Sequence, residues 1–381
     1  MNMFRQYSVF CYRITLLSVL IASLAFTSNR ACAVTISGEI RVAGYDKLGE
    51  TYSKNFPFWV SFDAAGQWQA KVNYSTNYVE TCGSDGQKTC YILKFSYERL
   101  REDLGPSAAK KAVTNASIVN GACPFFAEAT TRVVWFAYAS SPYFLSTTNP
   151  LPALWSYGFR DPTSHALRMN VEFLNQRPRI PSKADFFFST AQVQGRKDIP
   201  FLSKGLTRWE IEKSLKEFKK FDNQLGAEYK VLSTTNVANM VLPLEFLLEV
   251  FSPAENLSST KIQSYHGVAR RVTEESPESF LLRIDEPLVT TDYRFSDGPA
   301  RLDGITYTIT NNVWPSTNDA ALVKRFEDRK ANSFTPKVPE KSAVLVVRAF
   351  LIFTVATFPI LILRWALRRR GNQQKTHREG L

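Results

Sequence analysis

Histidine is almost missing from this chain of 381 residues: it has three, and only His165 and His266 lie outside the last few positions. Two histidines cannot form a His-rich metal cluster, and neither stands in a His-Glu-x-x-His arrangement. Cysteine is sparse as well. Of the five, Cys11 and Cys32 belong to an N-terminal segment discussed below. The others, Cys82, Cys90 and Cys123, lack the Cys-x-x-Cys spacing of a structural zinc site. There is no Gly-x-Ser-x-Gly elbow and no Gly-x-x-x-x-Gly-Lys-Ser/Thr loop to cradle a phosphate. Two Ser-x-x-Lys matches, Ser107–Lys110 and Ser258–Lys261, are as many as a serine- and lysine-rich chain yields by chance. No catalytic residue, no cofactor and no metal site is therefore expected.

A basic excess is also missing from the body of the chain, although the formal charge is +12. Arg5, Arg13 and Arg30 precede the body, Arg348 lies beyond it, and the C-terminal cluster adds a net five, so the body keeps only about three positive charges. That is an ordinary solvated surface, and nucleic acid is not an expected partner.

Long apolar runs are absent from the body and confined to the two ends. Arg5 and Arg13 precede Ile14–Phe26, and Ala31-Cys32-Ala33 follows, the order of a signal peptide over residues 1–33 with cleavage near Val34. An apolar run this short argues against an uncleaved anchor, since about 20 residues are needed to cross hydrocarbon. Asn29-Arg30-Ala31 also lacks the pattern that would direct acylation of Cys32. At the other end, Val344–Leu363 is long enough, at about 30 Å of helix, for one crossing. This predicts a transmembrane helix over 343–364. Arg348 lies about one turn from the outer boundary and can snorkel to the headgroups, Pro359 kinks the inner half, and Trp365 falls at the interface. Arg368, Arg369 and Arg370 then hold a basic tail, 365–381, in the cytoplasm. The expected protein is a single-pass protein of the cell membrane that contacts membrane lipid through its span. Residues 34–334 lie outside the cytoplasm, periplasmic in a Gram-negative cell, on a proline-containing stalk at 335–342.

The body reads as mainly β (α+β). Ile36–Ala43, Phe56–Asp63, Gln67–Tyr74, Tyr78–Gly83 and Thr89–Tyr97 are short aromatic or β-branched runs between turn residues, a spacing suited to an antiparallel meander. A polar excursion over Ser96–Ala112 leads to Ala116–Asn120, and Val133-Val134-Trp135-Phe136 within Thr131–Ala139 reads as a buried strand. Later strands are expected at Arg168–Leu174, Glu228–Leu232, Lys261–Val272, Phe280–Ile284, Val289–Phe295 and Ile305–Asn311, with Pro243–Phe251 open between strand and buried helix. One amphipathic helix stands out. Thr207 and Glu210 form a capping box, Ile211, Leu215, Phe218 and Leu225 share a face, and Gly226 ends it. Its Lys- and Glu-rich opposite face reads as a plain solvated surface. Asp319–Lys330 is helix-like. Cys82 and Cys90 flank a connection built around Asp85-Gly86, which predicts thiols facing across a hairpin and a disulfide between them. Cys123 reads as a buried structural thiol. The paired carboxylates Glu274-Glu275 with Glu278, and Asp285-Glu286, read as solvated charge.

Residues 36–97 carry Ile36-Ser37-Gly38-Glu39-Ile40, then Phe58-Trp59-Val60-Ser61-Phe62, then Gly66-Gln67-Trp68 and the Asp85-Gly86 hairpin. This stretch resembles the opening of the lipoprotein-carrier-type half-barrels, exported proteins that curl an antiparallel sheet around a helix. The resemblance implies an antiparallel curved sheet or half-barrel, with an apolar cavity for acyl chains or a hydrophobic partner segment. The chain departs from that family in its C-terminal span and in running well beyond one half-barrel. A lesser resemblance links Val338-Pro339-Glu340, ahead of an apolar run and an arginine cluster, to C-terminal sorting signals, although the Pro-Glu-Pro motif is not matched. Three readings of function follow: a membrane-anchored binding protein for a lipid or hydrophobic ligand, a scaffold whose surface binds another envelope protein, or an enzyme with an unrecognised carboxylate site.

Overall fold

The computed structural model describes residues 33–95, 113–124, 126–145, 154–155, 167–192, 208–254, 260–295 and 304–332. The segments expected as leader (up to residue 32), stalk and span, with Arg348, Pro359, Trp365, Arg368, Arg369 and Arg370, lie outside these residues. So do Ser107, Lys110, His165, Thr207, Ser258 and the whole of the excursion at 96–112. Among the described residues no helix is long and apolar enough to cross a membrane. The chain divides into two compact units, the first ending at Asp319. The described part of the second is a single helix, Ala320–Asn332.

The first unit is built on one curved, unclosed sheet. Its strands are β1 (Val34–Asp46), β2 (Gly49–Phe62), β3 (Trp68–Ser75), β4 (Tyr78–Ser84), β5 (Lys88–Phe95) and β6 (Val113–Asn120), then β7 (Leu167–Phe173) and β8 (Pro181–Phe188). They continue with β9 (Leu225–Val237), β10 (Met240–Ser252), β11 (Thr260–Thr273), β12 (Leu288–Asp292) and β13 (Ile305–Ile309). The order across the sheet is β13-β12-β6-β5-β4-β3-β2-β1-β11-β10-β9-β8-β7. β1 pairs β2 on one side and β11 on the other, so the first strand is the seam between an N-terminal meander and a later one. Most neighbours are antiparallel, as expected from the turn spacing; β6 and β12 are the parallel pair. That pairing joins segments far apart in sequence and left no local trace.

Alternation sets the inner face. Ile36 and Ile40, Phe58 and Val60, Trp68 and Ala70, Cys82, Tyr229, Phe246 and Tyr265 all point into one continuous core. The run expected as a strand over Thr131–Ala139 is instead helix α1, Ala129–Ala139, and all eleven of its residues are buried. A segment apolar on every side has no period by which to tell helix from strand. Here Ser140-Ser141-Pro142 ends the run and the sheet encloses it. A short helix, α2 (Ser141–Leu145), follows, and α3 (Arg208–Phe218) is the amphipathic helix expected from the sequence. It stops at Phe218, followed by a single tighter turn to Phe221. Gly226, expected to end it, is already in β9 beneath the Phe188 ring, where a Cβ would come within 2.9 Å. The ambiguous Pro243–Phe251 resolves as strand β10. Phe280–Ile284 is not a strand, although Phe280, Leu282 and Ile284 are buried alternately. It is an extended cover laid on the outer face at Gly83, where a Cβ would meet the Phe280 carbonyl at 2.2 Å.

Candidate functional site

The disulfide expected between Cys82 and Cys90 is not present: both thiols are free and buried, as is that of Cys123. The hairpin closes Ser84 against Thr89, so Cys82 lies opposite Tyr91 and Cys90 opposite Gly83. Residues directly opposite share a face and successive residues alternate, so this register points the two sulfurs to opposite sides of the sheet. Burial pushes the Cys90 and Cys123 thiols up to about 12. Both are therefore inert at neutral pH.

The interior around α1 holds a cluster of buried polar groups. Glu80 projects from β4 to the first turn of the helix, where both of its oxygens accept the Glu128 backbone N–H, at 3.0 and 3.1 Å. Glu128 itself makes no side-chain cap; its carboxylate accepts the Tyr78 hydroxyl at 2.9 Å. Tyr74 and Thr131 share a hydrogen bond of 3.1 Å beside them. Burial raises Glu80 to about 7, against the opposing pull of the Thr131 hydroxyl, the Glu128 N–H and the Arg132 charge. Arg132 is enclosed in the same cluster, its guanidinium pKa lowered by burial and supported by Tyr265 and Glu80. This arrangement places a carboxylate at the positive end of the helix and orients α1 within the sheet.

Farther along α1 the interior turns aromatic. Tyr138 packs against Phe58 and Phe246, and Tyr229 of β9 against Phe136 and Phe246. Trp135 lies beside Trp68. Three of these groups, Trp135 Nε1, the Tyr138 hydroxyl and the Tyr229 hydroxyl, are buried with no hydrogen-bond partner among the described residues. Neighbouring rings are satisfied: Trp68 Nε1 donates to the Ala122 carbonyl at 2.9 Å and Tyr91 to that of Cys123 at 3.1 Å. Leaving a buried donor unpaired costs about 1–3 kcal/mol, so three of them within one aromatic core are a departure from the rest of the interior. Their sequence signal was only that of core aromatics.

Two depressions lie elsewhere on the body. One groove of about 910 Å³ is lined by Ala33, Asp63, Gln67, Asp85, Glu274 and Glu278 among others, so two of the carboxylates singled out in the sequence reach one place. Burial raises Asp63, whose carboxylate holds its own turn by accepting the Gln67 N–H at 2.8 Å. Asp285 instead pairs with Arg283 on the surface at 2.8 Å. A shallower hollow of about 400 Å³ includes Pro57, Trp59, Gln69 and Lys71. His266 pairs with Glu245 at 2.7 Å, and Lys261 of the second Ser-x-x-Lys match with Glu249 at 3.2 Å. Among the described residues no group of three His, Cys, Asp or Glu side chains is placed to hold a metal ion.

No protein-family model matches the chain, and no curated protein is found to be similar to it. Solved structures that align with it include a LolA superfamily protein from Nitrosomonas europaea, at 7% identity over 65% of this chain and 88% of that one, with a TM-score of 0.29. A DUF1329 family protein from Desulfovibrio piger aligns at 5% identity over 66% and 89%, with a TM-score of 0.30. A putative outer membrane lipoprotein-sorting protein domain from Vibrio parahaemolyticus aligns at 7% over 68% and 91%, with a TM-score of 0.27. A likeness of this size fixes neither ligand nor activity.

Proposed function

We propose that this chain is a membrane-anchored extracytoplasmic protein that binds a lipid or another hydrophobic ligand in the interior of its curved sheet. The observation that carries the reading is the trio of unpaired donors, Trp135 Nε1, Tyr138 OH and Tyr229 OH, in an aromatic core. Indole and phenol donors surrounded by hydrocarbon suit a neutral acceptor such as an ester or amide carbonyl on an otherwise apolar molecule. Such a ligand lies between α1 and the β9–β10 wall with its carbonyl on the tyrosines. The signal peptide and C-terminal span read from the sequence support placing the body beside the outer face of a membrane. No reaction is assigned to the chain.

One observation favours a second reading, an envelope scaffold that binds a protein partner. α1 already fills the inner face with eleven buried residues, and a packed interior needs no ligand. Native mass spectrometry of the full chain extracted in mild detergent separates the two. The binding reading expects a co-purifying hydrophobic molecule whose retention falls when Tyr138 and Tyr229 are both changed to Phe. An empty interior, together with a specific protein crosslink in native membranes, would replace it with the scaffold.

A further inference from the structure

Helix α3 lies on the surface at the end of β8, and its two long faces differ in chemistry. The inward face is fixed: Phe218 packs edge-on against Phe188 at 5.1 Å and against Phe221 at 5.3 Å. Just beyond it, the Asp222 carboxylate accepts the Thr190 N–H at 2.8 Å and the Thr190 hydroxyl at 2.9 Å. Among the described residues these contacts hold the helix to the sheet by its Phe218 side.

On the other side stands Trp209, 68% exposed, the most exposed aromatic residue among the described ones. Positions four and seven residues on share its face, and these are Lys213 and Lys216; Lys220, in the tighter turn that follows, lies over the Phe221 ring at 5.1 Å instead. The Lys213 ammonium lies over the indole at 5.5 Å, which shows directly that the two side chains are on one stripe. All three lysines are exposed. Glu212 and Glu217 fall at the margins by the helical period, so the solvated surface expected from the sequence separates into a basic, tryptophan-bearing ridge with acidic flanks. Indoles prefer the headgroup level of a bilayer, and lysines beside them are attracted to anionic lipid.

We propose that this ridge, Trp209 with Lys213 and Lys216, docks the body onto an anionic phospholipid surface. The proposal rests on the membrane-anchored reading above and adds a second point of contact to it. A short stalk confines the body near the bilayer, so a weak surface contact is made at high effective concentration. The ridge fixes which side of the sheet faces the lipid.

The test uses the full chain in nanodiscs of phosphatidylcholine alone, or of phosphatidylcholine with phosphatidylglycerol, and follows hydrogen exchange across 208–221. Exchange is expected to slow by roughly tenfold or more in the anionic discs. The protection should disappear at high salt and in a Lys213→Glu, Lys216→Glu variant, and Trp209→Ala should weaken it. Equal exchange in the two lipids would overturn the proposal, as would protection unchanged by the charge reversal. Protection seen only in native membranes and not in anionic discs would assign the ridge to an acidic protein and likewise overturn it. A chain that stays out of the discs would defeat the anchoring reading alone. The ridge is then judged by binding to phosphatidylglycerol vesicles, which supports it if present and overturns it if absent.

Discussion

The two faces of the sheet bury polar groups in opposite ways. On the outer face, Asp292 and Arg294 form an ion pair with side chains 0% and 4% exposed. Arg294 donates to both carboxylate oxygens, Nε at 2.9 Å and Nη2 at 2.7 Å, the Tyr307 hydroxyl adds a bond of 2.9 Å, and Nη2 reaches the Pro315 carbonyl at 2.9 Å. Trp314 Nε1 donates to the Leu282 carbonyl close by. On the inner face, by contrast, Trp135, Tyr138 and Tyr229 keep buried donors unpaired, and Glu80 is a carboxylate raised by its surroundings. A network satisfied at each end fastens β12, β13 and the covering segments. The inner donors of similar burial carry the cost of desolvation without a bond to offset it.

The largest effect should come from breaking the fastened side. Asp292→Ala leaves Arg294 buried without its counter-charge and is expected to lower stability by about 3–5 kcal/mol, read from thermal unfolding of the detergent-solubilised chain. Replacing both residues, Asp292→Leu with Arg294→Met, should cost far less than the single change. If the single variant unfolds at the temperature of the parent, the outer network does not fasten the sheet.

Next in size is a pH effect belonging to the inner side. Glu80 is raised from 4.5 to about 7 in the folded protein, so between those values the folded state holds the proton more tightly than the unfolded chain does. Stability linked to Glu80 is therefore greatest in acid and falls as pH rises from about 4.5 to 7, by roughly 3 kcal/mol, then levels off. Glu80→Gln should flatten that slope while keeping an acceptor for the Glu128 N–H. A stability that rises across this range in the parent and loses that rise in the variant would show Glu80 to be ionised and well paired instead.

Much of this comparison was hidden from the sequence, for identifiable reasons. β1 to β5 were legible because their alternation is interrupted by turn residues at 63–66 and 85–86. The centre of the inner face was not. Val133-Val134-Trp135-Phe136 is buried on all sides and rich in β-branched residues, so only enclosure by the sheet decides that it is helix. Phe280, Leu282 and Ile284 alternate like a strand yet have no ladder, because burial against Gly83 gives the same pattern as pairing. The cysteines failed by one residue of register, which spacing alone does not specify. The amphipathic helix was legible from its apolar period, but its end was not: it stops at Phe218, and Gly226 belongs to the next strand.

The smallest effect gives the sharpest contrast, since one substitution type should change sign between the two faces. Tyr307→Phe on the outer face removes a hydroxyl bonded to the Asp292 carboxylate and should cost about 1.5–3 kcal/mol. Tyr138→Phe or Tyr229→Phe on the inner face removes a buried hydroxyl that has no bond to lose, and should be neutral or stabilising by about 1 kcal/mol. Both pairs are isosteric apart from one oxygen, so packing contributes little to the difference. Comparing unfolding midpoints of ligand-stripped protein isolates the hydroxyl. If Tyr138→Phe destabilises the stripped chain as much as Tyr307→Phe does, an ordered water or an unseen group already satisfies that hydroxyl, and the inner face has no acceptor to wait for. If it stabilises the stripped chain and yet weakens ligand retention, the unpaired donor is a cost the fold carries for binding.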